Sequence, residues 1–407
     1  MKFLILGLAT VLTACGGGGG STDPSVSTIV SVSPAAQTAV PVTPVTPITP
    51  VTPITPVVTI SSSSKQSVIV VNQKNWVKNY AVGDINGDGL DDVVISGWTG
   101  KGISYLSILI QNLDGTLTDR TAELLGDNTY SGSMRVFISD FDRDGYPDIW
   151  LPGGDDLIAS TPSLMLWGSA NGKFTRQIVD SGIASHGGCV ADLNGDGNLD
   201  VLIQGTYNWN INTSGYYINN GNRSFSKLVA HQFVNGASAC DIIRDSNTGH
   251  FAVFQSGSNQ FGRDSISIVD SNLNLIKHIP IPIQDSTLAG ISGVVAVDTN
   301  GDGLLDFVIN YEPIVAGNLG RKEVWLNQGS DSFVYSYTLD NVNTGNIIPF
   351  TYNGDQYCFF VGSGLYKQIN GKLVLYKSVD GPSVAYRGSG GLYVLEEGWP
   401  HYTTRKL

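Results

Sequence analysis

From about residue 67 onward the chain alternates short apolar runs with polar, glycine-rich turns. The runs at 93–98 (VVISGW), 149–154 (IWLPGG), 201–205 (VLIQG) and 307–310 (FVIN) are β-branched and end in glycine or a polar turn. That pattern predicts strands. A second pattern recurs from Tyr105, Ser163, Gly215, Lys322 and Leu365: an alternating strand, a turn of Gly with Asp, Asn or Gln, and another alternating strand. Asp-Gly and Asn-Gly supply the φ > 0 positions that a tight hairpin requires.

These elements repeat. Four segments are nearly superimposable: Asp84 to Asp92, Asp140 to Asp148, Asp192 to Asp200 and Asp298 to Asp306. Decayed copies can be read from Asp241 and around Thr351 to Gln356. Starts near 84, 140, 192, 241, 298 and 351 give a period of about 50 residues, which suits propeller blades rather than most helical repeats. Each unit then holds four strands, with the acidic loop joining the first two and the hairpin joining the last two. Such a unit has two apolar faces and open edges, and a closed ring satisfies both. The expected fold is an all-β propeller of four-stranded blades over residues 66–407. Seven blades are favoured over six. The closing stretch from Gly390 reads as a shortened seventh blade whose missing strand is KQSVIVV, near residue 67. Trp98, Trp150, Trp167, Trp209 and Trp325 read as packing between blades.

Composition narrows the chemistry. Lys and Arg total 23 against 35 acidic residues, a formal charge of -12, which disfavours nucleic acid as a partner because phosphate binding needs a positive surface. The acidic residues concentrate in the repeated loops and point to cations there. Each full copy places side-chain oxygens at positions 1, 3, 5 and 9, glycine at 6, and a backbone carbonyl at 7. Calcium takes six to eight oxygens in a forgiving geometry, and clustered carboxylates repel unless a cation neutralises them. The plainer alternative is a glycine-rich Asx turn without an ion, which four copies make less economical. An EF-hand or dockerin loop fails on spacing. Position 12 falls on Ile95 in the first copy and Ile203 in the third, both inside expected strands.

The four loops resemble the D-x-[DN]-x-D-G-x-x-D loops of FG-GAP/VCBS-type repeats, as in the integrin α-subunit propeller and many bacterial surface proteins. The resemblance runs from about residue 70 to at least 360. It implies about four calcium ions and their ligands: Asp84, Asn86, Asp88, Leu90 and Asp92; Asp140, Asp142, Asp144, Tyr146 and Asp148; Asp192, Asn194, Asp196, Asn198 and Asp200; and Asp298, Asn300, Asp302, Leu304 and Asp306. The copy at Asp241 departs, with Ile243 at position 3 and Gly249 at position 9, and the copy near Thr351 lacks most carboxylates. Both are expected to be metal-free.

The amino end reads as processing rather than fold. A lysine, an apolar run too short to span a bilayer, and Leu12-Thr13-Ala14-Cys15 resemble a bacterial lipoprotein signal over residues 1–14. Cys15 would then be the lipidated amino terminus. Gly16 stands where the inner-membrane retention aspartate of that family would be, so an outer-membrane anchor, periplasmic or surface-facing, is expected. Residues 15–65 form a Gly-rich and Pro/Thr-rich spacer, in which proline at every third position from Pro41 imposes an extended chain. Of the remaining cysteines, Cys189 and Cys240 could pair, although three small buried hydrophobes, Cys358 included, is the plainer reading.

Function is less legible. The expected role is a non-catalytic binding or adhesion module for an extracellular or periplasmic protein or glycan. Alternatives are a polysaccharide-active lyase or hydrolase, and a structural part of the envelope. No H-E-x-x-H or G-x-S-x-G motif occurs. His186 beside Cys189 is a weak nucleophile candidate, and scattered carboxylates such as Glu312 and Glu323 offer no readable pair.

Overall fold

The computed structural model describes the chain from residue 67 onward except for short segments, the longest being 71–76, 99–103, 206–214, 229–238, 256–264, 282–287 and 314–319. The expected lipobox, the spacer and Trp209 lie outside the described residues. Seven four-stranded antiparallel sheets follow one another along the chain. The first pairs Val77–Gly83, Asp92–Trp98, Ser107–Gln111 and Leu117–Asp119; the second, Phe137–Ser139, Asp148–Leu151, Ser163–Trp167 and Thr175–Asp180; the third, Ser185–Ala191, Asp200–Gly205, Gly215–Asn219 and Phe225–Leu228. The fourth uses Cys240–Arg244, Phe251–Gln255, Ser265–Val269 and Leu275–Pro280. The fifth uses Leu288–Val297, Asp306–Pro313, Gly320–Asn327 and Phe333–Val342, and the sixth Ile347–Tyr352, Asp355–Phe360, Gly362–Ile369 and Lys372–Gly381. This is a seven-bladed β-propeller.

The seventh sheet closes the ring. Ser383–Gly388, Gly391–Gly398 and His401–Lys406 supply three strands, and Ser67–Val70 adds the outermost one. Ser67 lies opposite Thr404 and Val70 opposite His401. The amino-terminal strand therefore fastens the carboxy-terminal blade, as the sequence pattern predicts.

The core lies between blades rather than within a central layer. Strand Ser107–Gln111 is buried along its whole length, because each of its faces meets a neighbouring sheet. Outer strands such as Leu275–Pro280 are largely exposed. Trp150 and Trp167 pack with Val201, Ile203 and Tyr217 of the third blade, and Trp325 packs with Phe254 and Ile268 of the fourth. The expected packing role of these tryptophans holds; the Trp98 side chain lies outside the described residues. First strands touch across the junctions of the first and second, third and fourth, fourth and fifth, and fifth and sixth blades.

Two sequence expectations need correction. Cys189 and Cys240 are a disulfide joining the first strands of the third and fourth blades, with Cα atoms 5.6 Å apart; among the described residues only Cys358 is a free buried thiol. The decayed copy read from Asp241 is also displaced. Asp241 sits inside strand Cys240–Arg244, where its carboxylate accepts the Ala296 N–H of the fifth blade at 2.7 Å, and the turn proper follows at Asp245. The fourth-blade hairpin at Asp270 escaped the pattern because it has no glycine: Leu273 takes the left-handed place at φ 63°.

Candidate metal sites at the blade turns

Because strands alternate in direction, the turns between first and second strands and the hairpins between third and fourth strands share one rim of each blade. The four acidic segments are such turns, at 84–92, 140–148, 192–200 and 298–306. Each is built alike. The position-1 carboxylate caps the turn from within: Asp84 accepts the N–H groups of Gly87 at 2.7 Å, Asp88 at 3.0 Å and Gly89 at 2.8 Å. Asp192 repeats this with Gly195, Asp196 and Gly197, and Asp298 with Gly301 and Gly303. Asp140 holds Asp144 and Gly145 in the same way.

Positions 4 and 6 are both left-handed in every copy, at φ 77° and 84° for Gly87 and Gly89 and at 61° and 90° for Arg143 and Gly145. Sequence reasoning singled out only position 6. The repeated Asn-Gly-Asp-Gly carried the signal for position 4, and Arg143 shows that a non-glycine is tolerated there.

Position 9 is the most buried member. Asp92, Asp148, Asp200 and Asp306 are fully buried. One oxygen of each accepts the position-2 N–H, from Ile85, Phe141, Leu193 and Thr299, at 2.8–2.9 Å. The other accepts an N–H at the end of the third strand, from Gln111, Gly168, Asn219 and Asn327, at 2.7–2.9 Å. This residue locks the turn to its own blade. Burial pushes the Asp92 and Asp148 carboxyls up to about 7 and Asp200 up to about 6, with the neighbouring turn carboxylates adding to the rise and backbone donors opposing it. Asp306 is raised by burial as well.

The amides at the third-strand ends are functional residues that the pattern did not reveal. Asn219 Nδ2 donates to the Phe141 carbonyl of the preceding blade at 2.7 Å, and Gln111 Nε2 donates to the Arg387 carbonyl of the seventh at 2.8 Å. The first and third turns are thereby tied to their neighbours, whereas Asn327 of the fifth blade donates to the Leu305 carbonyl of its own turn.

In the second turn one oxygen from each of Asp140, Asp142 and Asp148 lies within 4.8 Å of the others. This acidic cluster is able to hold a metal ion. Its donors are all oxygen, which suits a hard cation. At the two decayed turns other interactions stand in. Asp245 accepts the N–H groups of Asn247 and Thr248, while His250 Nδ1 lies 2.7 Å from Asp331 of the fifth blade. The sixth blade turns tightly on Asn353 and Gly354, both left-handed at φ 52° and 81°. The side chain of His186 lies outside the described residues, and its suggested partner Cys189 is spent in the disulfide.

A propeller scaffold is compatible with either a binding or adhesion role or a carbohydrate-active enzyme. The model of the FG-GAP-like repeat matches residues 84–151, which hold the first two acidic turns. Among solved structures the chain is similar to a mutant of AofleA from Arthrobotrys oligospora, at 10% identity over 78% of this chain and 90% of that one, with a TM-score of 0.47. It is similar to the Aleuria aurantia lectin AAL, solved in complex with Fucalpha1-6GlcNAc, at 11% identity over 78% and 96% of the two chains, with a TM-score of 0.43. It is also similar to the exotype rhamnogalacturonan lyase YesX, at 12% identity over 84% and 76%, with a TM-score of 0.42.

Proposed function

We propose that this protein is a calcium-clipped binding propeller that presents a protein or glycan site on the rim opposite its acidic turns. The observation that supports this reading most is the division of labour between the rims. On one rim the carboxylates are committed to the turns themselves, capping backbone N–H groups and anchoring strands. The strand ends on the other rim are joined by connections of uneven length, from the nine residues between Gly205 and Gly215 and the nine between Gln255 and Ser265 down to the single residue between Phe360 and Gly362. The sequence of the two nine-residue stretches holds Tyr207, Trp209, Phe261 and several Asn and Ser residues, a composition suited to ligand contact.

In each acidic turn the residues at positions 1, 3, 5 and 9 would hold the ion, with the carbonyls of Leu90, Tyr146, Asn198 and Leu304. The ion would neutralise carboxylates that otherwise repel. The Cys189–Cys240 disulfide supports export, since such bonds persist outside the reducing cytosol. A lipid on Cys15 and the proline-rich spacer would then hold the ring off the outer membrane.

A second reading is carbohydrate-active chemistry, and one group favours it. Midway along the third strand of the fifth blade, buried Glu323 accepts from the Tyr311 hydroxyl at 2.9 Å and from Trp325 Nε1 at 3.2 Å, and pairs with Arg321. A carboxylate, a phenol and a guanidinium are the parts of acid–base catalysis. Three donors already hold this carboxylate, which suits an architectural role better, so binding stands first.

The test is a screen of the full chain against glycans and envelope proteins, with calcium and with chelator, alongside a product assay on the same polysaccharides. Calcium-dependent capture without product supports the binding reading. Turnover of a polysaccharide that a Glu323→Gln variant loses would overturn it in favour of the second.

A further inference from the structure

The four acidic turns differ in one respect. In the first, third and fifth blades position 3 is asparagine, and its Nδ2 donates to the position-5 carboxylate: Asn86 to Asp88 at 3.0 Å, Asn194 to Asp196 at 3.0 Å and Asn300 to Asp302 at 2.8 Å. In the second blade position 3 is Asp142, which has no such donor. The missing bond comes from the next blade. Arg223, in the hairpin between the last two strands of the third blade, places Nη2 3.1 Å from the Asp144 Oδ2 and Nε 2.6 Å from the Asp142 Oδ2. It also donates to the Gly168 carbonyl at 3.2 Å and lies over the Trp167 ring at 5.3 Å. The guanidinium does for the second turn what an asparagine amide does for the others.

Two further observations make this a system rather than an isolated pair. The first turn also carries a fourth carboxylate, Asp91, and it too is matched by an arginine from an adjacent blade: Arg387 donates through its backbone N–H and Nε at 2.8 Å each and through Nη2 at 2.5 Å. Among the described residues, the third and fifth turns hold three carboxylates each and no arginine ion pair. Set against its matching arginine, each of the first and second turns keeps three unmatched carboxylates, as the third and fifth do; Arg143, within the second turn, reaches toward the third, with Nη1 3.5 Å from the Asp196 carbonyl.

The second observation is backbone geometry. Gly221, Asn222 and Arg223 have φ of 73°, 52° and 61°, and Gly329, Ser330 and Asp331 in the fifth blade have 72°, 50° and 62°. The same hairpin thus aims Arg223 at an acidic turn and Asp331 at the decayed turn holding Thr248 and His250. The residue at this hairpin position complements the turn of the blade before it.

We propose that Arg223 is an affinity-determining residue for the cation held by the second turn, coupling occupancy there to the joint between the second and third blades. This rests on the calcium reading given above. Arg223 and a divalent ion draw on the same two carboxylates, so the guanidinium holds the turn together without the ion and weakens the site for it.

The experiment follows hydrogen–deuterium exchange in segments 84–92, 140–148, 192–200 and 298–306 of the full chain across a calcium titration. Arg223→Gln should move the midpoint of 140–148 to lower calcium by about tenfold, from loss of one nearby positive charge, and leave 298–306 in place. Asp142→Asn with Arg223→Gln rebuilds the asparagine form and keeps the question answerable if the single variant folds poorly. Its midpoint should fall within about threefold of that for 192–200, since both turns then carry the same three carboxylates and one asparagine at the ligand positions. An unmoved or raised midpoint for 140–148 in Arg223→Gln overturns the proposal while calcium binding stands. Absence of calcium-dependent protection in all four segments overturns the calcium reading and this proposal together.

Discussion

Single residues show how narrowly each turn is specified. Gly89 has φ 84°, and a methyl group placed on it would meet nothing within 4 Å. Gly89→Ala therefore tests backbone strain alone and should cost about 1 kcal/mol in urea unfolding; a neutral result would show the turn to be softer than its geometry implies. Lys322 is the other informative residue. It is fully buried, donates to the Asn310 Oδ1 at 2.5 Å and the Asn343 carbonyl at 2.9 Å, and lies over the Phe360 ring at 5.0 Å. Burial pushes its ammonium down to about 7. Between that value and the roughly 10.4 of an unfolded lysine, the unfolded chain binds a proton that the folded one does not. Stability from this group therefore rises as pH climbs from about 7 toward 10. Lys322→Met should flatten that slope whatever it does to absolute stability, and chemical denaturation at several pH values measures it.

Elements owe their stability to cross-links between neighbours. The disulfide closes a stretch of chain with a sequence separation of 51, worth about 4 kcal/mol on a loop-entropy argument. Replacing Cys189 and Cys240 by serine together should lower unfolding free energy by about 2–4 kcal/mol, and a loss under about 0.5 kcal/mol would mean that first-strand packing already fixes those two blades. The hairpins show where pattern reading stops. Gly beside Asn, Asp or Gln marked five of them, yet the fourth-blade hairpin uses Asp270, whose carboxylate accepts the N–H groups of Asn272 and Asn274, with Leu273 left-handed between them. A side chain supplies there what glycine supplies elsewhere, and no dipeptide signal announces it.

At the scale of the whole molecule, ring closure is decided by one short strand. Ser67–Val70 pairs with His401–Lys406, and the seventh blade is held to the first by Tyr386 donating to the Gly115 carbonyl at 2.8 Å and by Arg387 on Asp91. Deleting the chain through Val70 should leave strand 401–406 as an open edge, lower the melting temperature, and raise hydrogen exchange in the seventh and first blades before the fourth. Uniform loss of protection around the ring would instead indicate a fold without a seam.

The sequence by itself determined the repeat, the four-strand unit, the strand exchange that closes the ring and the residues of each acidic turn. All of these follow from local periodicity and from backbone demands that only Gly, Asn and Asp meet cheaply. Tertiary structure alone decided what passes between repeats: the Cys189–Cys240 bond, the amides of Gln111 and Asn219 that tie one blade to the last, and Arg223 standing in for an asparagine. Those contacts join residues dozens of positions apart whose only common feature is adjacency across a blade boundary. Local pattern carries no record of which side chain will face which across a closed ring.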